Sequence, residues 1–271
     1  MRRADLRWLG IVLLVLIIGA AIAAPWIVPV GPDVQGDVAH TRFLPPATFD
    51  ATGLIHPLGT DRLGRDVWSR LVHGARVSLA VGALAMGLSL LIGVSVGALA
   101  AGARKSVEAL LLGFTDFALG LPRVVLLLLL ATFWEPSATL VVLVLGFTGW
   151  MPIARLVHAE MKSQLARPYV LSARALGAGK FRVLVRHALP HTISPVLAAA
   201  TLGVGYAITL EAGLSFLGLG VQPPTASWGT MIASGRETVV NAPWVGLAPG
   251  VALVMVVVAC TLIADSVSGK Q

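Results

Sequence analysis

Three short stretches of this sequence carry residue types that could do chemistry. "GAGKF", Gly177 to Phe181, sets a glycine-lysine pair where a phosphate-binding loop would have one. Such a loop also needs a glycine five positions before that pair and a Ser or Thr just after the lysine, so that backbone N–H groups cradle phosphate and a hydroxyl holds magnesium. Arg174 and Phe181 stand at those places, so the chain is not expected to hydrolyse ATP itself. "GLSF", Gly213 to Phe216, offers Ser215 as the nucleophile of an intramembrane hydrolase, which would need a base, usually His, at the same depth. His40, His56, His73, His158, His187 and His191 all fall in polar segments or near the ends of apolar runs. "HAEMK", at His158, lacks the second His of a zinc-protease helix, and no other His, Cys and carboxylate cluster has metal-ligand spacing. The expectation is no catalytic residue, no metal site and no cofactor in this chain.

Ionisable groups inside apolar runs cost several kcal/mol, on the order of 2.5–3.5, and usually mark a pathway or an internal pair. Asp116 and Arg123 lie seven residues apart, roughly on one face of a helix. Internal pairing accounts for both, with a pathway role as the alternative. Glu211, in "ITLEAGLSFLGLG", has glycines around it that let helices approach closely. With Ser215 it is the better candidate for lining a pathway or supporting a gate.

The elements that must position these groups are membrane spans. Of 271 residues, 56% are hydrophobic and 12% charged, against about a quarter charged in soluble chains. Net charge is +7, but aromatic residues do not interleave with the basic ones, so no nucleic-acid partner is expected. Cys260 is the single cysteine, which excludes an intrachain disulfide. A span needs about 20 apolar residues. Six runs qualify, near Leu9–Val30, Val77–Ala103, Val107–Phe133, Ala138–Val157, Thr192–Leu219 and Val245–Ala264. The first follows Arg2, Arg3 and Arg7 and is too long for a signal peptide, so it reads as a retained anchor. Placing both termini in the cytoplasm puts Arg104, Lys105, Arg155, Lys270 and the basic stretch around Arg174 on the same side, as the positive-inside rule requires. The predicted fold is an all-α integral membrane protein with six transmembrane helices. It divides into an anchor (1–30), an external loop ending in an interfacial helix (31–75), a five-helix core (76–265) that includes a cytoplasmic segment (159–191), and a cytoplasmic tail (266–271).

"YVLSARALGAGKFRVLVRHALPH", Tyr169 to His191, interrupts this apolar pattern. Gly177 and Gly179 break a first helix. Pro190 is expected to end a second, in which Phe181, Leu184, Val185 and Ala188 follow helical spacing. Basic residues alone would hold such a loop on anionic lipid at about 1 kcal/mol each, but that gives no reason for a glycine hinge between two helices. A hinge suits a shape that docks into something. Upstream, Leu63, Val67, Leu71 and Ala75 share helical spacing and suggest the interfacial helix.

The same stretch resembles the EAA loop of inner-membrane permease subunits of ABC importers, in the branch that handles peptides, nickel and opines. Ser172 and Ala173 fall at the two alanines of that motif, Gly177 at its glycine, and Leu189-Pro190 at its closing Leu-Pro, whereas Leu171 replaces its Glu. "HPLGTDRLGRDVWSRLVHGARVSL", "EAGLSFLGLGVQPPTASWGTMI" and "NAPWVGLAPG" are similar to the same branch, in the same order. The resemblance implies a transport subunit in a bacterial inner membrane. It further implies a second homologous permease, two ABC ATPase subunits that use ATP and Mg, and an external substrate-binding protein. Ser172, Ala173, Arg174, Gly177, Ala178, His187, Leu189 and Pro190 are then the coupling-loop residues. Asp61, Arg65 and Trp228, in segments Gly59–Arg65 and Gln222–Trp228, would line an external vestibule. Short peptides are the expected cargo, with nickel or a metal-opine as alternatives. A channel or facilitator working alone is the rival from another class, and it leaves the hinge loop without a partner.

Overall fold

The computed structural model describes residues 3–28 and 30–268, with backbone alone at 3–5, 123 and 268. Helix α1 (Arg3–Ile27) leads into a segment with a short helix α2 (Val38–Thr41) and a two-stranded antiparallel hairpin, β1 (Thr48–Phe49) with β2 (Ile55–His56). Helices α3 (Val67–Gly102), α4 (Lys105–Leu119), α5 (Arg123–Ala131) and α6 (Ala138–Leu165) follow. Next come α7 (Pro168–Ala175), α8 (Lys180–Arg182), a π-helical turn over Val183–Ala188, a 3-10 turn over Leu189–Thr192, and α9 (Ile193–Phe216). Helices α10 (Trp228–Thr238) and α11 (Trp244–Ser268) complete the described chain.

Five helical runs are long and apolar enough to cross a membrane: α1, α3, α6, α9 with its lead-in from Lys180, and α11. Helices α4 and α5 meet at a bend of 74° and together make the sixth candidate. The uninterrupted span expected over Val107–Phe133 is therefore two helices. Pro122 disfavours helix at Leu121 and supplies no N–H, so the run breaks after Gly120. That break also removes the shared face expected for Asp116 and Arg123.

The separate interfacial helix is replaced by a continuous one. Asp66 caps α3, its carboxylate accepting the Ser69 N–H at 2.7 Å, and 36 residues follow without interruption. At 1.5 Å per residue this helix is about 54 Å long, well beyond the roughly 30 Å hydrocarbon core. Leu63 lies before it in a turn. Gly93 and Gly97, one turn apart on α3, let its backbone pass close to α6: a methyl group at Gly93 would meet Trp150 O at 2.7 Å, and one at Gly97 would meet Ala154 O at 2.5 Å.

Two ends of the bundle are distinguished by contacts. At one, Gly10 abuts Ala259 and Leu262, Ser194 Oγ donates to Val267 O at 3.3 Å, and Gly102 lies against Leu184. This end gathers the start of α1, the end of α11 and the hinge segment. At the other, the Trp244 indole donates to Thr60 O at 3.2 Å, and Arg62 pairs with Glu237 at 2.7 Å.

Candidate functional site

Glu211 is fully buried where three elements meet. Its Oε1 accepts the Ser215 hydroxyl at 2.7 Å and the Ser227 hydroxyl at 3.0 Å, and its Oε2 accepts the Ser78 hydroxyl at 3.2 Å. Each serine oxygen in turn accepts a backbone N–H: Val221 on Ser215 at 3.2 Å, Thr230 on Ser227 at 3.1 Å, and Trp228 on Ser78 at 3.1 Å. The hydroxyls thus relay three orphan amides to one carboxylate. Two of those amides belong to the first turn of α10, whose positive end favours the acidic group. Ser78 comes from α3, Ser215 from α9 and Ser227 from the cap of α10, so the node fixes α10 and the preceding loop onto the α3–α9 pair.

Of the residues singled out from sequence, Glu211, Ser215 and Trp228 come together here. Ser215 donates its proton to Glu211, and among the described residues no histidine is hydrogen-bonded to it. Trp228 was expected in an open vestibule; it is instead 1% exposed, its indole donating to Leu71 O at 3.0 Å. The ring packs with Ala21, Ala75, Ile208, Val256 and Cys260, from α1, α3, α9 and α11. Ser78 and Ser227 were not singled out, although the spacing of Ser227 and Thr230 is that of a capping box, which both side chains form.

Asp61 and Arg65, also expected at a vestibule, are buried against each other. Asp61 accepts Arg65 Nε at 2.7 Å as well as the Leu63 and Arg65 backbone N–H groups, and Arg70 lies within 3.9 Å. The pair shapes the turn that delivers the chain to α3 instead of facing solvent, because two charges removed from water need each other. Asp61→Asn leaves the buried Arg65 without its carboxylate, whereas Arg70 keeps Asp33 at 3.2 Å, and the expected cost is about 3–5 kcal/mol. Faster proteolytic cutting between residues 44 and 66, with an unchanged cutting rate elsewhere, is the measurement that checks it. In the adjoining hairpin the Thr52 hydroxyl holds the Asp50 carboxyl below its ordinary value. That contribution is present at neutral pH and is lost only as pH falls through the lowered value.

Asp116 pairs with Arg155 at 2.8 Å on α6, both side chains about half exposed. Arg123 begins α5, and its side chain lies outside the described residues. Glu108 was not singled out either. It receives His158 at 2.8 Å and Lys162 at 2.7 Å, clipping α4 to the last turns of α6.

The hinge segment presents a different surface. Helix α7 stops after Ala175, and Gly177 takes φ +88°, a conformation that side chains resist. Around it Leu176 is 90% and Phe181 79% exposed, and a methyl group at Gly177 would meet nothing within 4 Å. Ser172, Ala173, Arg174 and Ala178 sit on the same projecting turn and are exposed or half-buried. Tyr169 braces its base, donating to His187 O at 3.1 Å. Pro190 does not end the second helix as expected. The chain passes through π and 3-10 turns at Val183–Thr192 and continues into α9. Pro190 withholds the N–H that would bond the Arg186 carbonyl in a regular helix, and a local change of winding absorbs the defect.

Residues 93–269 match the family described as binding-protein-dependent transport system inner membrane component, and residues 1–46 match the N-terminal TM domain of oligopeptide transport permease C. A protein of Brucella suis biovar 1 (strain 1330), named as a peptide transport system permease, is 38% identical over 265 residues, covering 98% of this chain and 86% of its own. The di/tripeptide transport system permease protein of Pseudomonas aeruginosa (strain UCBPP-PA14) is 36% identical over 256 residues, covering 94% and 84%. Among solved structures, the MetNI methionine ABC transporter in an inward-facing conformation aligns with a TM-score of 0.62 at 20% identity, over 72% of this chain and 93% of the matched one. That likeness concerns the fold alone. A bundle of candidate spans, a match running from α3 through α11, and relatives aligned over nearly the whole length together place the chain in the family of binding-protein-dependent transport system inner membrane components.

Proposed function

We propose that this permease subunit works in an ATP-driven importer of short peptides, with both termini and the hinge segment in the cytoplasm. The observation that carries the reading is the bare hinge. Leu176 and Phe181 leave large apolar side chains almost fully solvated in the isolated chain, at a projecting glycine turn that fits a groove on another protein. An ATPase subunit is the partner this surface serves, one for each of two permease chains. ATP and Mg belong to those subunits. The exposed face of α9 around Leu202, Tyr206 and Phe216, and the apolar groove of about 1030 Å³ between α3, α4, α5 and α6, are the surfaces that meet the second permease or border the path. A binding protein delivers cargo at the opposite end, near Arg62 and Glu237.

Peptide cargo follows from the relatives, which are named for peptide and di/tripeptide transport. The test is uptake into proteoliposomes holding the co-purified complex and its binding protein. Labelled dipeptide is expected to accumulate only with ATP. Nickel uptake without dipeptide uptake overturns the cargo, and uptake by this chain alone without ATP overturns the subunit role in favour of a facilitator.

A further inference from the structure

Behind the hinge, at the same end of the bundle, lies a second cavity of about 460 Å³. Its walls differ in character. Gly102, Leu165 and Leu184 form an apolar floor, while Lys162, Arg174 and Lys180 supply three cationic head groups. The ammonium of Lys162 is already neutralised by Glu108 at 2.7 Å. Among the described residues no carboxylate pairs with Arg174 or Lys180, and both side chains are exposed. The cavity therefore carries two uncompensated positive charges over a greasy base, beside the end of the long span α3.

From this we infer a binding site for the phosphate group of an anionic phospholipid, its glycerol and upper acyl chains resting on the Gly102–Leu184 floor. Three features support it together. A phosphate diester accepts several charge-assisted hydrogen bonds, which Arg174 and Lys180 can donate from opposite sides of the hinge. The apolar floor includes Gly102, the last residue of the candidate span α3, so a molecule anchored in the bilayer approaches it along that helix. A soluble anion gains nothing from that floor. The lipid would bridge α7, which carries Arg174, to the start of the Lys180 helix, and so hold the two arms of the glycine hinge at one angle. Assignment of this end to the inner leaflet rests on the orientation proposed above, whereas lipid binding itself does not depend on what the importer carries.

The experiment uses the assembled complex in nanodiscs of phosphatidylcholine doped with phosphatidylglycerol, and counts retained lipid by native mass spectrometry. Wild-type complex is expected to keep phosphatidylglycerol after transfer to detergent, and R174Q with K180Q to bind it about thirtyfold more weakly, as expected for two surface cations. Arg174→Lys should retain most of the binding, since the charge is preserved. Equal retention by wild type and double variant overturns the site. Displacement of the lipid by millimolar inorganic phosphate overturns the lipid as its occupant, because a free ion does not use the apolar floor. Arg174 and Lys180 crosslinking to an acidic segment of the ATPase, with no bound lipid, overturns it in favour of a protein contact. Failure of peptide uptake would leave these results unchanged.

Discussion

Gly177→Arg is expected to separate this chain from its ATPase subunits while leaving the chain itself folded. The backbone at Gly177 is left-handed, so any side chain there costs about 1–2 kcal/mol locally. Space around a Cβ at this position is open, however, with nothing within 4 Å. A large cation placed between Leu176 and Phe181 blocks whatever groove these residues enter. Loss of such a contact is worth about 3 kcal/mol, or about a hundredfold in affinity. Pull-down in mild detergent should recover ATPase activity with wild type, reduced activity with Gly177→Ala, and almost none with Gly177→Arg. Thermal unfolding of the purified permease should shift by no more than the local cost. If Gly177→Arg still assembles and transports, the hinge is not the docking surface.

Glu211→Ala should have the opposite profile, a loss of fold integrity around α10 with the hinge intact. Three buried hydroxyls lose their shared acceptor, each leaving a donor unsatisfied at about 1–3 kcal/mol, and a cavity opens beside Trp228. An overall cost of about 3–5 kcal/mol is a large part of ordinary protein stability. Glu211→Gln keeps the volume and one acceptor oxygen, and should fall between wild type and alanine. Melting temperature, combined with labelling of cysteines introduced singly in the loop between 217 and 227, reads the effect. Labelling should rise in the order wild type, Gln, Ala. Unchanged labelling in Glu211→Ala would mean that the node does not hold the loop.

Much of the bundle was legible because apolar run length is a strong signal: the spans near Ala138 and Val245 begin within a residue of the helices observed. The breaks were less legible. "GLP" at Gly120–Pro122 sits inside a run whose average hydropathy hides it, and only the chemistry of proline shows why a 74° bend replaces a straight span. Pro190 misled in the other direction, since a helix can pass a proline by changing its winding. At the site, Glu211 stood out as a carboxylate in an apolar run. Its serine partners did not, because Ser78 and Ser227 lie 133 residues before and 16 after it, and nothing local links them. Asp61 and Arg65 were placed at an external vestibule by the resemblance, not by any pattern in the residues themselves. Their i,i+4 spacing equally allows the buried pair that forms.

The wide turn at Val183–Ala188 also sets a rotational phase. Everything from α7 to Lys180 is aimed by the winding of the helix that follows, and each residue of an α-helix turns its neighbour by about 100°. Rewinding the same six residues as ordinary α-helix would advance that phase by about one residue's turn, roughly 100°. The bundle would keep its spans, yet the glycine hinge would present its apolar side chains to the wrong quarter. The winding of this short stretch, and not only its side chains, thus sets where the hinge points.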